Sequence, residues 1–383
     1  MAVLQQVDPH NCTFVTCSSY WPSGRFERRV IVVDEPLGSH VLELVVADVV
    51  AETNDARVLV FKTPEGSDIP PERLKYSPGQ FLTLRVPSTR TGSVARCYSL
   101  CSSPHADEAL TVAVKRTADG YASNWLCDNA HVGMRMHVLA PSGTFVPKNL
   151  DTDFLLLAGG SGITPMLSIL KSALSEGTGK VTLFYANRDE KSVIFGKALR
   201  ELTSLYPDRL SVVHWLESVQ GLPNPTILAT QLAPYTTRET FICGPAPFMA
   251  AAEEALLKSG ADKSNVHLEV FQSLDSDPFA AVVLAEDDSD EGPATAIVTL
   301  DGETHELQWP RKAVLLDVLL DKGLDAPFSC REGHCGACAV LMKKGDVDMA
   351  INDVLEPSDL EEGLILGCQA VPKTDSVEVT YDE

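Results

Sequence analysis

The sequence predicts a multidomain chain: an antiparallel β-barrel over residues 41–148, a doubly wound α/β domain over residues 149–274 and a smaller domain over residues 294–383. Three observations predict this fold class. Short strand-like runs come first, strands that alternate with helices follow, and an acidic stretch then precedes a group of closely spaced cysteines. A length of 383 residues suits two or three domains of ordinary size.

The first half of the chain has the pattern of β structure after an irregular start. Residues 1–40 have weak periodicity and mixed polarity, so we expect a poorly ordered extension. Six runs rich in Val and Leu, typical of a barrel or sandwich, then follow within about 100 residues. They are VLELVVADVV, ARVLVFK, GQFLTLRV, ARCYSLCS, ALTVAVKR and GMRMHVLAP. The segment GYASNWLCDNAHVG predicts a short helix between two of these strands.

The pattern changes at Asp153. DFLLLA is a nearly continuous apolar run, as in a buried parallel strand. PMLSILKSALSEG has apolar residues at helical spacing and ends at Gly177. The alternation continues through VTLFYA, SVIFGKALRELTSLY, SVVHW, PTILATQLA, ETFIC and PFMAAAEEALLKSG. It indicates βαβ units and a sheet that ends near residue 274.

Residues 275–293 are acidic and contain Ser, Gly and Pro, which predicts a linker. After it, AIVTL and THELQW flank the turn Asp301–Gly302–Glu303, which predicts a hairpin. AVLLDVLLDKG predicts an amphipathic helix, and SVEVTY predicts a final strand. The last 90 residues should therefore fold.

The charge of the chain limits the kinds of partner. The net charge of −22 argues against nucleic acid and anionic membranes. Residues 275–383 hold 25 acidic and 7 basic side chains, against 28 and 24 in residues 1–274. An acidic C-terminal domain fits a docking surface for a basic partner, and it fits equally a surface that only confers solubility.

No apolar run reaches the roughly 18 residues of a membrane span. The N-terminus shows no secretory signal. We therefore expect the reducing environment of the cytoplasm, where clustered cysteines suggest a metal site.

Four cysteines near the C-terminus carry the sharpest signal. Three of them have the spacing C-x4-C-x2-C, and the fourth lies 30 positions further on, the plant-type pattern for a [2Fe–2S] cluster. Thiolates are soft and anionic and so suit iron. Zinc is the main alternative, but zinc sites usually carry two short Cys pairs and only one CxxC occurs here. The four are Cys330, Cys335, Cys338 and Cys368.

A glycine-rich turn joins the first α/β strand to its helix. Glycines let a phosphate approach the backbone, and a helix N-terminus offers free N–H groups to it. The turn is not a strict G-x-G-x-x-G, so a simple tight turn remains open. Its residues are Gly159, Gly160, Ser161, Gly162, Ile163, Thr164 and Pro165. The triplet Cys243–Gly244–Pro245 ends a later strand, at the sheet edge where ligands bind in such folds.

A third candidate site lies in the barrel, at Arg96–Cys97–Tyr98–Ser99. An arginine can hold a phosphate, an aromatic ring can stack on a flat heterocycle, and a hydroxyl can bond a ring nitrogen. The same pattern suits a strand with an outward Arg and a core Tyr. Residue pattern alone leaves both interpretations open.

In this order, RCYS, GYAS, GGSGITP, CGP and the cysteine pattern resemble the ferredoxin–NAD(P) reductase superfamily. More narrowly, they resemble oxygenase reductases with a flavin barrel, an NAD domain and a C-terminal plant-type ferredoxin domain of β-grasp-like fold. The resemblance covers residues 35–383 and includes PGQFLTLRVPSTRTGSVARCYSLCSSP, KRTADGYASNWLCD, PFSCREGHCGACA and DSVEVTYDE. It is strongest to reductases that serve bacterial 3-ketosteroid 9α-hydroxylases.

The resemblance implies an FAD site in the barrel. Arg96 would bind a flavin phosphate, Tyr98 would pack on the isoalloxazine and Ser99 would lie near its N5 atom. Lys115 would lie on the next strand of the site. The pyrophosphate would be bound by Tyr121, Ala122, Ser123 and Asn124. FMN is the alternative, but GYASN offers a second phosphate contact and so favours FAD.

The resemblance also implies an NAD site. Thr164 and Cys243 would lie beside the nicotinamide, and Phe271 would cover the flavin face. Asn187 and Arg188 would face the ribose. Asp189 and Glu190 favour NADH over NADPH, whereas Arg188 argues the other way. The remaining residues of this site would be Gly159, Gly160, Gly162, Pro165, Gly244 and Pro245.

The implied activity is electron transfer from NADH through FAD and a [2Fe–2S] cluster to a separate terminal oxygenase, expected to be of Rieske type. The implied process is steroid degradation. A reductase of another oxygenase, such as a phenylacetyl-CoA-type monooxygenase, is one alternative. A redox carrier without turnover is another, although a carrier has no need for a nicotinamide pocket.

Overall fold

The computed structural model describes residues 37–282, 284 and 292–382. Most of the predicted N-terminal extension therefore lies outside the described residues. The described chain begins at Leu37, whose backbone forms a bridge with Ala280.

The first sheet is antiparallel and has six strands, as the six strand-like runs predict. The strands are β1 (Leu42–Ala51), β2 (Ala56–Lys62), β3 (Phe81–Ser88), β4 (Gly92–Ser99), β5 (Leu110–Lys115) and β6 (Arg135–Val138). Their order is β4-β3-β6-β1-β2-β5, and a bridge between Leu100 and Val112 links the two edges. The predicted short helix is present as α1 (Tyr121–Asn129).

The second sheet is parallel and has the order β11-β10-β7-β8-β9, with helices between its strands. Its central strands are buried on both faces, which explains their continuous apolar runs. The elements are β7 (Phe154–Gly159), α2 (Ile163–Glu176), β8 (Val181–Asn187), α3 (Gly196–Leu205), β9 (Leu210–Leu216), α4 (Glu217–Gln220), α5 (Pro225–Leu232), β10 (Glu239–Cys243), α6 (Ala246–Lys258) and β11 (Val266–Glu269).

The C-terminal domain is a mixed sheet around one helix. Its five-stranded sheet has the order β13-β12-β18-β14-β16, and β15 pairs with β17 separately. The elements are β12 (Ala294–Leu300), β13 (Glu303–Trp309), α7 (Leu315–Asp321), β14 (Ala339–Lys344), β15 (Val347–Met349), α8 (Pro357–Glu361), β16 (Leu364–Leu366), β17 (Ala370–Pro372) and β18 (Ser376–Thr380). The predicted fold class is thus confirmed in all three parts.

Two predicted elements differ in their bounds. The prediction extends helix α3 back to Ser192, but α3 begins at Gly196 because Phe195 has a left-handed φ of 61°. A left-handed residue cannot continue an α-helix. The hairpin turn consists of Asp301 and Gly302 alone, since Glu303 already pairs with Leu300.

The segment placed in the linker is packed in its described first half. The Phe279 side chain is fully buried in the C-terminal core. The His40 imidazole contacts the carbonyl oxygen of Pro278 at 3.0 Å, and its ring meets Phe328 edge-on at 4.9 Å. Residues 275–282 therefore lie between the barrel and the C-terminal domain.

Candidate functional site

Strand β4 separates two environments. Since side chains alternate along a strand, Arg96 and Tyr98 lie on one face and Cys97 on the other. The Arg96 guanidinium is anchored by donating from Nη1 to the carbonyls of Ala95 at 2.6 Å and Leu274 at 3.0 Å. Burial raises the pKa of the Tyr98 phenol, and the Arg96 charge partly opposes this shift. The sequence therefore places a cation beside a sheltered aromatic ring, as a flavin site requires.

Helix α1 offers a second anion-binding feature close to that strand. Its N-cap is Gly120, which provides no side-chain cap for the first N–H groups, so these can donate to a phosphate. The Ser123 hydroxyl accepts from the Thr117 amide at 3.1 Å, and Asn124 Nδ2 donates to the Thr117 and Gly120 carbonyls at 3.0 and 2.5 Å. These two predicted site residues therefore shape the loop before the helix.

Three further residues predicted for the flavin site have different surroundings. Ala122 is buried, and Ser99 is 4 % exposed at the end of β4. The Tyr121 ring is largely exposed, and its hydroxyl donates to the Pro87 carbonyl at 2.8 Å, which ties α1 to the end of β3. The site roles of all these residues remain predictions.

The two glycine motifs of the α/β domain meet at the carboxyl edge of its sheet. A Cβ atom on Gly162 would lie 2.1 Å from the Cys243 carbonyl oxygen, and one on Gly244 would lie 2.9 Å from Gly159 Cα. A Cβ on Gly159 would meet Pro245 Cδ at 2.8 Å. Only glycine permits such backbone contact, so the two turns form one surface at the N-terminus of α2, where a pyrophosphate binds in such folds.

This turn is held from both sides. The Thr164 hydroxyl donates to the Ser161 carbonyl at 3.0 Å, and the Tyr185 hydroxyl donates to the Gly160 carbonyl at 3.1 Å. Pro165 occupies the first turn of α2 and is buried, as the sequence predicts. The Lys115 Nζ atom lies 3.4 Å from the position of a Cβ on Gly160. Lys115 therefore lies over the glycine turn, at the junction of barrel and α/β domain.

The Asn187 side chain carries a buried amide whose only polar neighbour named among the described residues is the Tyr185 hydroxyl. It is 7 % exposed, and neither its Oδ1 nor its Nδ2 atom makes a hydrogen bond of good geometry there. The Tyr185 hydroxyl donates to the Gly160 carbonyl, so it can offer the amide only a lone pair. A buried amide normally finds partners, because leaving it unpaired costs free energy. Ligand hydroxyls at the end of β8 would satisfy it, which fits the predicted ribose site.

Arg188 follows Asn187 and is paired by the barrel. Its Nη2 atom lies 3.1 Å from Asp55 Oδ2, in the turn between β1 and β2. Glu52 of the same turn contacts the loop before α3, because its Oε1 atom accepts from the Phe195 N–H at 2.7 Å. The Asp189 carboxylate is used within its own loop, where it accepts from the Ser192 amide at 2.9 Å. Arg188 therefore faces an acidic group that the sequence analysis did not single out.

Sequence reasoning also missed Glu269. This residue ends β11 directly beside Cys243 in the sheet register. Burial raises the pKa of the Glu269 carboxyl to about 8. Burial also raises the pKa of the Cys243 thiol, and the nearby Glu269 charge adds a smaller rise. A carboxyl at the carboxyl end of a parallel strand was the signal that could have revealed it. Phe271, predicted to cover the flavin, follows in a loop and is 46 % exposed.

The four C-terminal cysteines converge around the loop that precedes β14. Cys330 interacts with Cys335, Cys338 interacts with Cys368, and a contact between Cys330 and Cys368 joins the two pairs. In each pair these contacts lower the pKa of one thiol and raise that of the other. The four thiols are thus too close to ionise together without a compensating cation.

Two hydrogen-bond donors lie beside these sulfurs, one in this loop and one next to Cys368. The Glu332 amide donates to Cys330 Sγ at 3.3 Å, and Gln369 Nε2 donates to Cys368 Sγ at 3.5 Å. Within the described residues, no three His, Cys, Asp or Glu side chains could hold a single metal ion. Thiols joined in two pairs, with N–H donors, instead fit ligands divided between the irons of a [2Fe–2S] cluster.

Comparison with known families assigns each part of the chain. Residues 43–146 match an oxidoreductase FAD-binding domain, residues 156–254 an oxidoreductase NAD-binding domain, and residues 298–373 a 2Fe-2S iron-sulfur cluster binding domain. The chain is 75 % identical over 353 residues to the 3-ketosteroid-9-alpha-monooxygenase ferredoxin reductase component of Mycolicibacterium smegmatis, covering 92 % of this chain and 100 % of that protein. The chain belongs to this family of ferredoxin reductase components.

A more distant relative and a solved structure also match most of the chain. One component of the 1,2-phenylacetyl-CoA epoxidase of Escherichia coli is 34 % identical, covering 88 % of this chain and 97 % of that protein. The solved structure of phthalate dioxygenase reductase superposes with a TM-score of 0.51 at 24 % identity, covering 89 % of this chain and 98 % of that one. The second likeness concerns the fold alone.

The family assignment confirms the predicted enzyme class and cofactors. This reductase is an oxidoreductase with FAD-, NAD- and [2Fe–2S]-binding domains that serve electron transfer in a multicomponent monooxygenase. Its described cysteines are all free thiols. None of the helices in the described part of the chain combines the length and apolar character that crossing a bilayer requires.

Proposed function

We propose that this reductase takes a hydride from NADH and supplies single electrons to the separate terminal oxygenase of a 3-ketosteroid 9α-hydroxylase, in steroid degradation. The 75 % identity to a reductase of that name supports the substrate class of the system. One structural observation supports the electron-transfer part: the loop of Cys330 packs on β3, with Ser329 Oγ 2.7 Å from Thr83 Oγ1, and β3 pairs with β4, which carries the predicted flavin residues.

The residues of the nucleotide site would bind NADH and orient it. The merged glycine turns offer backbone N–H groups to a pyrophosphate, and Lys115 adds a positive charge above Gly160. The Asn187 amide, whose polar atoms make no hydrogen bond of good geometry to the described residues, can bond a ribose hydroxyl. Hydride transfer needs reacting atoms on the order of 3–3.5 Å apart, so a nucleotide held close to the backbone of both turns would be restricted in position.

The barrel and the C-terminal loop supply the redox sites. Arg96 and the N-terminus of α1 provide charge and N–H donors for flavin phosphates, and Tyr98 provides an aromatic face. A flavin held by these residues would supply the change from two-electron to one-electron transfer that an iron–sulfur cluster requires. Cys330, Cys335, Cys338 and Cys368 provide the thiolates that hold this cluster.

The proposed acceptor is a Rieske-type oxygenase with a basic docking surface. Its iron–sulfur centre would take electrons singly, in the form in which the cluster of this reductase releases them. The acidic excess of residues 275–383 would steer such a partner to the cluster domain. A reducing cytoplasm, which keeps the cluster thiols available, is part of the same proposal.

Reconstitution with candidate oxygenases tests the proposal. The purified holoprotein is given NADH and either a steroid 9α-oxygenase with a 3-ketosteroid or an aryl-CoA oxygenase with its thioester, and coupled product is measured. An unrelated oxygenase reductase serves as the control. We expect faster coupled hydroxylation of the steroid than with the control. Aryl-CoA turnover in its place would favour the second oxygenase class, and flavin reduction without any acceptor reduction would contradict both.

A further inference from the structure

Three side chains form a buried polar contact between the barrel and the cluster loop. Thr83 on β3 is opposite Cys97 on β4, and the Thr83 hydroxyl lies 3.5 Å from the Cys97 sulfur. Ser329 reaches them from the C-terminal domain, with its hydroxyl 2.7 Å from Thr83 Oγ1 and 3.9 Å from Cys97 Sγ. Thr83 and Ser329 are 0 % and 1 % exposed. A hydroxyl pair sealed from water at this distance strongly prefers one relative position of the two loops.

The position of this contact in the chain links it to both redox sites. Ser329 directly precedes Cys330, the first cysteine of the cluster motif. Cys97 lies between Arg96 and Tyr98, whose side chains occupy the other face of β4. A single strand thus separates the predicted flavin residues from the cluster loop.

The opposite side of the loop is tied down as well. Glu332 accepts from the amides of Asp275 and Ser276 at 2.9 and 2.5 Å, and the Ser276 hydroxyl donates to the Cys330 carbonyl at 3.1 Å. Residue 273, just before this segment, forms a backbone bridge with Arg96. The loop is therefore held between β3–β4 and the segment that follows the NAD domain.

We infer that the contact of Ser329 with Thr83 and Cys97 positions the cluster loop against the flavin strand, and so sets the rate at which the flavin reduces the cluster. The three residues act through position and are not cluster ligands. The inference rests on the proposed electron-transfer function, but it does not depend on which oxygenase is the partner.

The full-length holoprotein with the isosteric Thr83→Val substitution tests this inference. The valine fills nearly the same volume but removes the 2.7 Å partner of the Ser329 hydroxyl and leaves it only the longer contact with Cys97 Sγ at 3.9 Å. Thr83→Ser keeps a hydroxyl and should behave as the natural protein. Thr240→Val is the matched control, because Thr240 is equally buried and donates to the Arg238 carbonyl at 3.1 Å inside the NAD domain.

Two readouts are combined. In anaerobic single-turnover mixing with NADH, Thr83→Val should leave flavin reduction unchanged and slow cluster reduction by about tenfold. Losing the hydrogen bond of one buried hydroxyl should lower the equilibrium constant for the docked position of the loop by about this factor. In hydrogen–deuterium exchange of the oxidised protein, peptides spanning residues 326–336 should exchange faster. The iron content, and the EPR spectrum of the chemically reduced cluster, should be unchanged. Neither change should occur in Thr83→Ser or Thr240→Val.

Several results would overturn the inference. The inference is wrong if Thr83→Val has the same hydrogen–deuterium exchange and the same rate of cluster reduction as the unsubstituted protein. It is also wrong if flavin reduction and cluster reduction slow equally. If Thr83→Val binds too little iron, Ser329→Ala replaces it and must slow cluster reduction alone. If NADH fails to reduce the cluster even in the natural protein, the proposed function fails independently of these variants.

Discussion

At the scale of single residues, long-range neighbours decide the chemistry. Glu269 is one carboxylate among many in the sequence, and its environment exists only because β11 ends beside Cys243. Asp55 acquires a role only because the β1–β2 turn reaches Arg188. Neither contact has a local signature, so sequence patterns could indicate the elements but not these partners.

Glu269 predicts a pH-dependent stability. Its pKa is about 8 in the folded protein against an ordinary value of 4.5, so the folded state holds an extra proton between these values. The free energy of unfolding should therefore fall as pH rises through this window and level off above it. Glu269→Gln stays neutral and should lack this loss. Thermal unfolding of both proteins at pH 5.5 and 8.5 checks this prediction. If the Tm of Glu269→Gln differs from that of the unsubstituted protein by the same amount at both pH values, Glu269 does not have the raised pKa.

Asp55 predicts the choice between NADH and NADPH. Its carboxylate pairs with Arg188 and so opposes a 2′-phosphate in two ways, by occupying the guanidinium and by repelling the anion. Asp55→Asn should raise kcat/KM for NADPH by about fivefold, the effect expected of one charge in a well-solvated site, and leave NADH nearly unchanged.

Steady-state dye reduction with both nucleotides measures this preference. Arg188→Gln is the control background. In that background Asp55→Asn cannot release the arginine, so it should raise kcat/KM for NADPH by less. An equally large rise would show that the Asp55–Arg188 pair does not control the preference.

At the scale of elements, regular patterns were predictable and their ends were not. The alternation of strands and helices over residues 153–258 follows from local periodicity. The start of α3 does not, because the left-handed Phe195 is held by Glu52 of the barrel. The hairpin turn of Asp301 and Gly302, by contrast, was predictable from local sequence. Its residues have positive φ values of 52° and 78°, and Asp–Gly is a favoured sequence for such turns.

The glycine turn gives a prediction at this scale. An Ala at position 162 would place Cβ 2.1 Å from the Cys243 carbonyl oxygen, and neither backbone can move without separating the two turns. Gly162→Ala should lower the Tm by about 5 °C or more and raise the KM for NADH. Gly196→Ala is the matched control, because its Cβ would have no contact closer than 3.5 Å. A Gly162→Ala variant with natural Tm and KM would show that the turns do not form one site.

At the scale of the whole molecule, the predicted flavin residues and the loop of the predicted cluster cysteines lie on either side of one strand. The arrangement predicts that the sites are separable in function although they are packed together. The cluster domain is fixed to the barrel by Arg73, which pairs with Asp325 at 2.6 Å, as well as by the Thr83–Ser329 contact. The C-terminal domain is therefore joined to the barrel through side chains beyond the chain connection.

Cys338→Ser tests this separability. The variant should lose cluster absorbance and electron transfer to the oxygenase, because the cluster needs all four thiolates. It should retain NADH-driven reduction of a hydride-accepting dye within about twofold, since that step ends at the flavin. Cys127→Ser, a half-buried thiol outside the cluster motif, should change neither activity. Loss of dye reduction together with the cluster would mean that the domains do not function separately.

The amino-acid order alone predicted the order of the folds and the iron–sulfur spacing of the four cysteines, because spacing and periodicity are local properties that a short stretch of chain displays without its neighbours. The FAD and NAD cofactors followed from the resemblance of several motifs to a known family. Only the tertiary structure decided that Ser329 meets Thr83, 246 positions away in the chain, and that Arg188 meets Asp55. Those contacts depend on how separately encoded elements pack, and burial and shape complementarity between distant segments leave no periodic trace in the chain.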